Sequence, residues 1–184
     1  MQKQIRLGIL VLLLFSLNSC ASYYDVAVDN AANYHKPNKV DQSYDIGGRF
    51  SIVTPKDNYY GNYSWQHDVG SDHLSMFSPI GTVVANITVE SDIATLETSN
   101  GVYKGKDLDS LLIQQLGFTL PINYLHYWVQ GIPLPEHPIT DQLQSGFTQL
   151  GWNIEYLKWA DENHPYIMQI SNKQMKIKLL INWH

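Results

Sequence analysis

The chain has 184 residues, the length of one domain or of one domain preceded by an export segment. Twelve Lys and Arg residues face seventeen Asp and Glu residues, so the formal net charge is −5. Proteins that bind phosphate backbones need a basic patch, so we expect no nucleic-acid partner. Charged residues make up only 16% of the chain and aromatic residues 12%, which indicates more apolar surface than a simple core requires.

The first nineteen residues are typical of a signal peptide. Lys3 and Arg6 form a positive start, and the apolar run over residues 7–17 is short for a membrane-spanning helix. Cys20, the only cysteine, follows this run directly after a small residue, which resembles a bacterial lipobox. We therefore predict a lipoprotein signal peptide over residues 1–19 and lipidation of Cys20. The alternative is an ordinary cleaved signal followed by an incidental cysteine.

Residues 20–45 are polar, contain Pro37 and lack a hydrophobic period. We interpret them as a lipid-anchored tether with a short helix after Pro37. From Ile46 onward, short alternating segments are separated by turn residues, so a single β-rich domain is predicted over residues 46–184.

Alternation of apolar and polar residues predicts the first strands of this domain. Tyr63 and Trp65 share one face of an early strand, two and four residues beyond Gly61. Asn100-Gly101 predicts a two-residue hairpin turn, since both residue types tolerate positive φ. A later strand carries an apolar face made of Val83, Ala85, Ile87 and Val89.

The turn Pro79-Ile80-Gly81 carries a large hydrocarbon side chain where Asn, Asp or Ser is usual. Proline fixes φ and glycine allows positive φ, so the turn itself is well predicted. Because turn tips face water, two interpretations of Ile80 stay open. The side chain either folds back into its own core or projects from the body of the domain.

The hydrophobic period then changes to that of a helix. Asp107 can cap a helix that ends at Gly117, and a second short helix starts at Ile122 and ends before Gly131. Strands return from Trp152 onward. The predicted fold is mainly β with a few α-helices: an incomplete (open) antiparallel β-barrel with the helices as a lid over an apolar cavity.

A search for catalytic chemistry finds little. None of the seven histidines lies in the helical zinc-protease pattern, and one cysteine cannot build a thiolate metal site. The chain lacks a nucleophile elbow, a phosphate-binding glycine loop and a dinucleotide fingerprint. We predict no catalytic residues, no metal, no cofactor and no enzymatic activity, although a triad assembled by the fold stays open. The aromatic side chains then form either an ordinary core or a cavity for hydrocarbon chains.

Several motifs, taken in order with their spacing and the lipobox, resemble the LolB family. The resemblance covers about Gly47 to Trp183. The family's usual Asn-Pro-Leu-Gly turn reads Ser-Pro-Ile-Gly here. The matching stretches are Gly48-Arg49-Phe50, Tyr63-Ser64-Trp65-Gln66, Ser78-Pro79-Ile80-Gly81, Tyr127 to Pro133, Gly151 to Tyr156 and Lys176 to Trp183.

This resemblance implies a receptor, anchored in the outer membrane through Cys20 and facing the periplasm. It implies that the receptor accepts lipoproteins from the periplasmic carrier LolA and inserts them into the outer membrane without nucleotide. The implied partners are LolA, the acyl chains of lipoproteins and outer-membrane lipids, and a monomer is expected. Pro79, Ile80 and Gly81 would form the membrane-insertion loop. The residues assigned to the acyl-chain cavity or its lid are Phe50, Tyr63, Trp65, Val83, Ile87, Leu112, Trp128, Trp152, Ile177 and Leu179.

Three other functions stay open. A lipid-anchored periplasmic binding protein for free small lipids would share the cavity but would give Ile80 no role. A lipoprotein hydrolase would need a positioned set of Ser, His or carboxylate groups. A structural lipoprotein without a cavity would bind no apolar dye.

Overall fold

A computed structural model describes residues 33–91 and 93–184; the predicted signal peptide and Cys20 lie outside these residues. The described residues form eleven strands in one sheet and two helices. The strands are β1 (Tyr44–Val53), β2 (Asn58–Asp68), β3 (Ser71–Phe77), β4 (Val83–Glu90), β5 (Ile93–Thr98), β6 (Gly101–Gly105), β7 (Asp141–Leu143), β8 (Gly146–Gln149), β9 (Trp152–Trp159), β10 (Pro165–Ser171) and β11 (Lys176–Trp183). The helices are α1 (Leu108–Leu116) and α2 (Ile122–Trp128).

The sheet is antiparallel and open. Its strand order is β6-β5-β4-β3-β2-β1-β11-β10-β9-β8-β7, so β1 lies at the centre and β6 and β7 form the two edges. Both helices lie in the chain between β6 and β7. The segment that carries them therefore runs from one edge of the sheet to the other. The predicted open antiparallel barrel with helices is confirmed.

The apolar parity of the strands faces one common core. In β11, Ile177, Leu179 and Ile181 are buried, whereas Lys176 is exposed and Lys178 is partly exposed. Buried side chains from both helices belong to the same cluster as those of the sheet. One hydrophobic layer thus lies between the sheet and the helices, as expected for an antiparallel sheet with one face covered.

The ends of α1 follow the local signals in the sequence. A side-chain oxygen of Asp107 accepts a hydrogen bond from the backbone N–H of Asp109 at 3.1 Å. Gly117 adopts φ +81°, and its N–H donates to the carbonyl of Ile113 at 3.0 Å. Both features are usual ways of satisfying helix ends. Within the described residues, no helix is both long and apolar enough to cross a membrane.

The turn between β5 and β6 differs from the prediction by one residue. Thr98 pairs with Gly101, so the loop consists of Ser99 and Asn100 instead of Asn100 and Gly101. Gly101 has φ +141° and stands at the first position of β6. The freedom of glycine is therefore used at the start of the strand, where a side chain at this φ would be strained.

Residues 33–43 contain no helix, although the sequence predicts a short one after Pro37, and the start of this segment contacts the sheet. The Tyr34 ring stacks on Tyr156 with 5.5 Å between the ring centroids. It meets Phe147 edge-on with 5.4 Å between the centroids. Its hydroxyl donates to the carbonyl of Gly131 at 3.1 Å. Burial raises the pKa of Tyr34 to about 12. Aromatic packing and this hydrogen bond therefore hold the start of the segment against the domain.

Gln149 attaches the end of α2 and the following loop to the sheet. This fully buried side chain accepts hydrogen bonds from Trp128 Nε1 and from the N–H of Leu134, both at 2.9 Å. Its amide donates to the carbonyls of Leu134 at 3.0 Å and His137 at 2.7 Å. All four hydrogen-bonding positions of the amide are therefore used, which a buried amide requires.

Gln149→Ala would leave these partners buried without hydrogen bonds. Because each unsatisfied buried group costs ~1–3 kcal/mol, we expect a loss of about 3 kcal/mol in the free energy of unfolding. Urea denaturation measures this loss. Gln114→Ala, at an exposed position of α1, is the matched control and should change stability by less than about 0.5 kcal/mol. Equal stability of the two variants would contradict this role of Gln149.

Candidate functional site

An apolar cavity lies between the sheet and the helical segment, and we refer to it as the inner cavity. Its volume is about 40 Å³, which leaves room for no more than a few water molecules at ~10–15 Å³ each. The side chains around it are hydrocarbon or aromatic throughout: Phe50, Ile52, Tyr63, Trp65, Leu74, Met76, Leu120, Ile122, Leu125, Ile177 and Leu179.

The sheet supplies the floor of the inner cavity and the helical segment supplies its cover. The floor comes from β1, β2, β3 and β11, which are adjacent strands. The cover consists of Leu120, just before α2, and of Ile122 and Leu125 within it. Pro121 starts α2 between these side chains. One side of the cavity is therefore covered by side chains of a single short segment.

The two aromatic residues with polar atoms point those atoms away from the inner cavity. The Tyr63 hydroxyl donates to the carbonyl of Leu180 at 3.3 Å, and Trp65 Nε1 donates to Asp72 Oδ1 at 2.8 Å. Burial raises the pKa of Tyr63 well above its usual value, so this phenol is neutral. Only the apolar parts of the two rings are left to face the cavity, which suits a hydrocarbon ligand.

A polar rim joins the floor to α2 at one end of the site. Asp72 Oδ1 also contacts His67 Nδ1 at 2.8 Å, and the His67 ring stacks on His126 of α2 at 5.1 Å. The Tyr44 ring also stacks on His67, with 4.9 Å between the ring centroids. Burial lowers the pKa of His126, and the nearby His67 lowers it further. The rim therefore joins α2 to the floor through the stacking of His126 on His67.

The residues predicted for the cavity fall into three groups. Phe50, Tyr63, Trp65, Ile177 and Leu179 line the inner cavity. Four others are buried in the surrounding core, outside the cavity lining: Ile87, Leu112, Trp128 and Trp152. Val83 forms the third group.

The placement of Val83 corrects the prediction, because its side chain is 51% exposed. Met76 pairs with Ala85 while the next residue, Phe77, pairs with Val83, so Val84 is an extra residue on β4. Such a bulge interrupts the alternation of sides along a strand. Simple counting back from Ile87 therefore assigns Val83 to the wrong face.

Sequence reasoning missed six residues that line the inner cavity. Ile52, Leu74 and Met76 share the buried parity of their strands, so the alternation pattern contained a signal for them. Leu120, Ile122 and Leu125 are apolar residues around Pro121. Periodicity shows that such residues are buried, but it does not show which part of a sheet they cover.

Ile80 projects into solvent, with 90% of its side chain exposed. The N–H of Gly81 donates to the carbonyl of Ser78 at 2.9 Å, which closes the turn, and Gly81 adopts φ +88°. Thr82 and Ser78 exchange further hydrogen bonds across its base. The turn is therefore well defined, and the interpretation in which Ile80 folds back into its own core is wrong.

Within residues 33–91 and 93–184, no group of three or more His, Cys, Asp or Glu side chains is placed to hold a metal ion.

Leu125→Ala should enlarge the inner cavity from the side of its cover. Removing a buried leucine costs ~2–5 kcal/mol, and an apolar cavity of sufficient size binds benzene. We expect a lower melting temperature that benzene partly restores. Calorimetry measures the melting temperature with and without benzene. Ile113→Ala, at a 55% exposed position of α1, should lower stability little and gain nothing from benzene. The same response to benzene in both variants would contradict an apolar cavity under Leu125.

Comparison with known proteins identifies the family of this chain. The family model described as "Outer membrane lipoprotein LolB" matches residues 42–183. The protein described as "Outer-membrane lipoprotein LolB" in Thiobacillus denitrificans (strain ATCC 25259 / T1) is 28% identical over 181 residues, 95% of each chain. The one in Marinomonas sp. (strain MWYL1) is 30% identical over 149 residues, 76% of this chain and 78% of its own. The chain belongs to the LolB family of outer-membrane lipoproteins.

Proposed function

We propose that this protein is a lipid-anchored receptor that accepts lipoproteins from the periplasmic carrier LolA and inserts them into the outer membrane. The observation that carries the proposal is the inner cavity, whose lining is entirely apolar and whose cover is one short helical segment. Membership of the LolB family supports the same function. The ligand would be the acyl chains of the transferred lipoprotein, and the receptor would act as a monomer.

The energetics of acyl chains explain why such a receptor has to keep them covered from water. Burial of hydrocarbon is worth ~0.8 kcal/mol per CH₂ group, so one long chain contributes on the order of 10 kcal/mol. A chain exposed to water would therefore attach to any apolar surface. A cavity of about 40 Å³ cannot hold such a chain, so acceptance requires the segment with Leu120, Ile122 and Leu125 to move away from the sheet.

No nucleotide is needed for this transfer, and we propose no enzymatic activity. Each step, from carrier to receptor to bilayer, requires only that the next apolar site is more favourable than the last. Cys20, which lies outside the described residues, would carry the lipid anchor. The domain would then face the periplasm, where the carrier brings its cargo.

Ile80 would act at the membrane surface during release. An isoleucine side chain gains only ~1.5–3 kcal/mol by full burial, which is too little to anchor a domain. Its 90% exposure on a well-defined turn instead suits local insertion into the headgroup boundary. There it would guide acyl chains from the protein into the bilayer.

Ile80→Glu should leave acceptance of cargo from the carrier unchanged and should block delivery to membranes, because a carboxylate at the tip resists burial in the bilayer. Transfer from carrier to receptor is measured by pull-down, and delivery is measured by flotation of the cargo with liposomes.

The matched control is Val69→Glu. Val69 is 74% exposed in the turn at the opposite end of β3, and its variant should accept and deliver cargo normally. Normal delivery by Ile80→Glu would contradict the role of this turn and would favour a binding protein for free small lipids. Loss of delivery in both variants would show a general effect of added charge.

A further inference from the structure

A second apolar space lies on the surface of the domain, and we refer to it as the outer groove. Its volume is about 430 Å³, within the usual range of ~300–1,000 Å³ for ligand sites. Leu116 and Phe118, at the end of α1 and just beyond it, cover one side, and the Phe118 ring packs on Tyr59 of β2 at 5.1 Å. Most other lining groups are aromatic or aliphatic, and Asn58 and Ser78 are polar exceptions.

The outer groove and the inner cavity share two lining side chains. Phe50 and Met76 line both spaces, and both are buried. A Cβ atom on Gly61 would lie 2.9 Å from the Phe50 ring, so this ring occupies space that only a glycine leaves free. Methionine is unbranched and has three rotatable bonds, so it can change conformation at low cost. The two shared side chains are therefore one flexible methionine and one phenyl ring that packs on a glycine.

The outer groove also reaches the turn that carries Ile80. Ser78 and Pro79 line its end, and Ile80 is the next residue in the chain. The bulge on β4 contributes to the same wall, because it places Val84 in the groove lining while the adjacent Val83 lies outside it. The groove thus extends from the wall of the inner cavity to the exposed turn.

We propose that the outer groove binds one acyl chain of the cargo lipoprotein on its way from the inner cavity to the membrane, and that Phe50 and Met76 form the gate between the two spaces. This inference rests on the function proposed above. The occupant is an acyl chain because the groove adjoins the inner cavity at Phe50 and Met76 and reaches the turn through Ser78 and Pro79. The groove would keep the chain covered until the turn meets the bilayer.

The test uses the full-length protein anchored in liposomes and a tri-acylated lipopeptide that carries a diazirine in one acyl chain. After irradiation, mass spectrometry locates the labelled peptides. In the unaltered protein we expect label both at the inner cavity, near Leu125, and at the outer groove, near Tyr59 and Phe118. In Val84→Trp, the indole should fill the groove, so that groove label is lost and cavity label is retained.

Val83→Trp is the matched control, because Val83 and Val84 are adjacent valines that are 51% and 48% exposed. It should keep label at both places. If either tryptophan variant fails to fold, Val84→Glu and Val83→Glu make the same comparison with a smaller side chain. Cavity label without groove label in the unaltered protein, or unchanged groove label in the folded Val84 variants, would overturn this inference alone. Label at neither place would overturn the proposed function itself.

Met76→Ile tests the gate separately. Isoleucine is β-branched and stiff at χ1, so the groove label should appear more slowly while the cavity label is unchanged. Leu74→Ile is the matched control, since Leu74 lies two residues away on β3 and lines the inner cavity without lining the groove. Equal labelling kinetics in the two variants would overturn the role of Met76.

Discussion

The structure depends on one constraint: the apolar face of an open sheet has to be covered without closing the sheet. Exposed apolar faces of this extent associate with any other apolar surface. Here the edges are β6 and β7, and the chain that links them carries α1 and α2 across the buried face. The helical segment that covers this face therefore connects the two edges of the sheet. Its far end is attached to the sheet through Gln149. α2 packs on the apolar floor and stacks His126 on His67.

The same arrangement relates stability to function. Leu120, Ile122 and Leu125 of the cover lie against the floor and leave an inner cavity of only about 40 Å³. Under the proposed function, an acyl chain would replace their contacts with the floor, because it offers the same apolar chemistry. The polar atoms of Tyr63 and Trp65 are satisfied outside the cavity. Movement of the cover therefore does not have to break the hydrogen bonds of the floor.

The sequence predicts the class of fold and the chemical character of the site better than it predicts the site's boundaries. Alternation correctly places Phe50 and Leu179 on the buried face, and local capping signals correctly bound α1. Val83 is misplaced because a bulge changes the alternation, and a bulge depends on the pairing of two strands. Leu125 is missed as a cavity residue because the position of a helix over a sheet is set by tertiary packing. The packing of Tyr34 is missed for the same reason.

We propose that this protein receives acyl chains from a carrier in a cavity that opens for them. The most direct measurement mixes a complex of LolA and a lipoprotein with the liposome-anchored protein in the absence of nucleotide. The lipoprotein is followed from the carrier to the protein by pull-down over time. We predict that it leaves the carrier, associates with the protein and then appears in the liposomes. If the lipoprotein stays with the carrier although the protein is folded, the proposed receptor function is wrong.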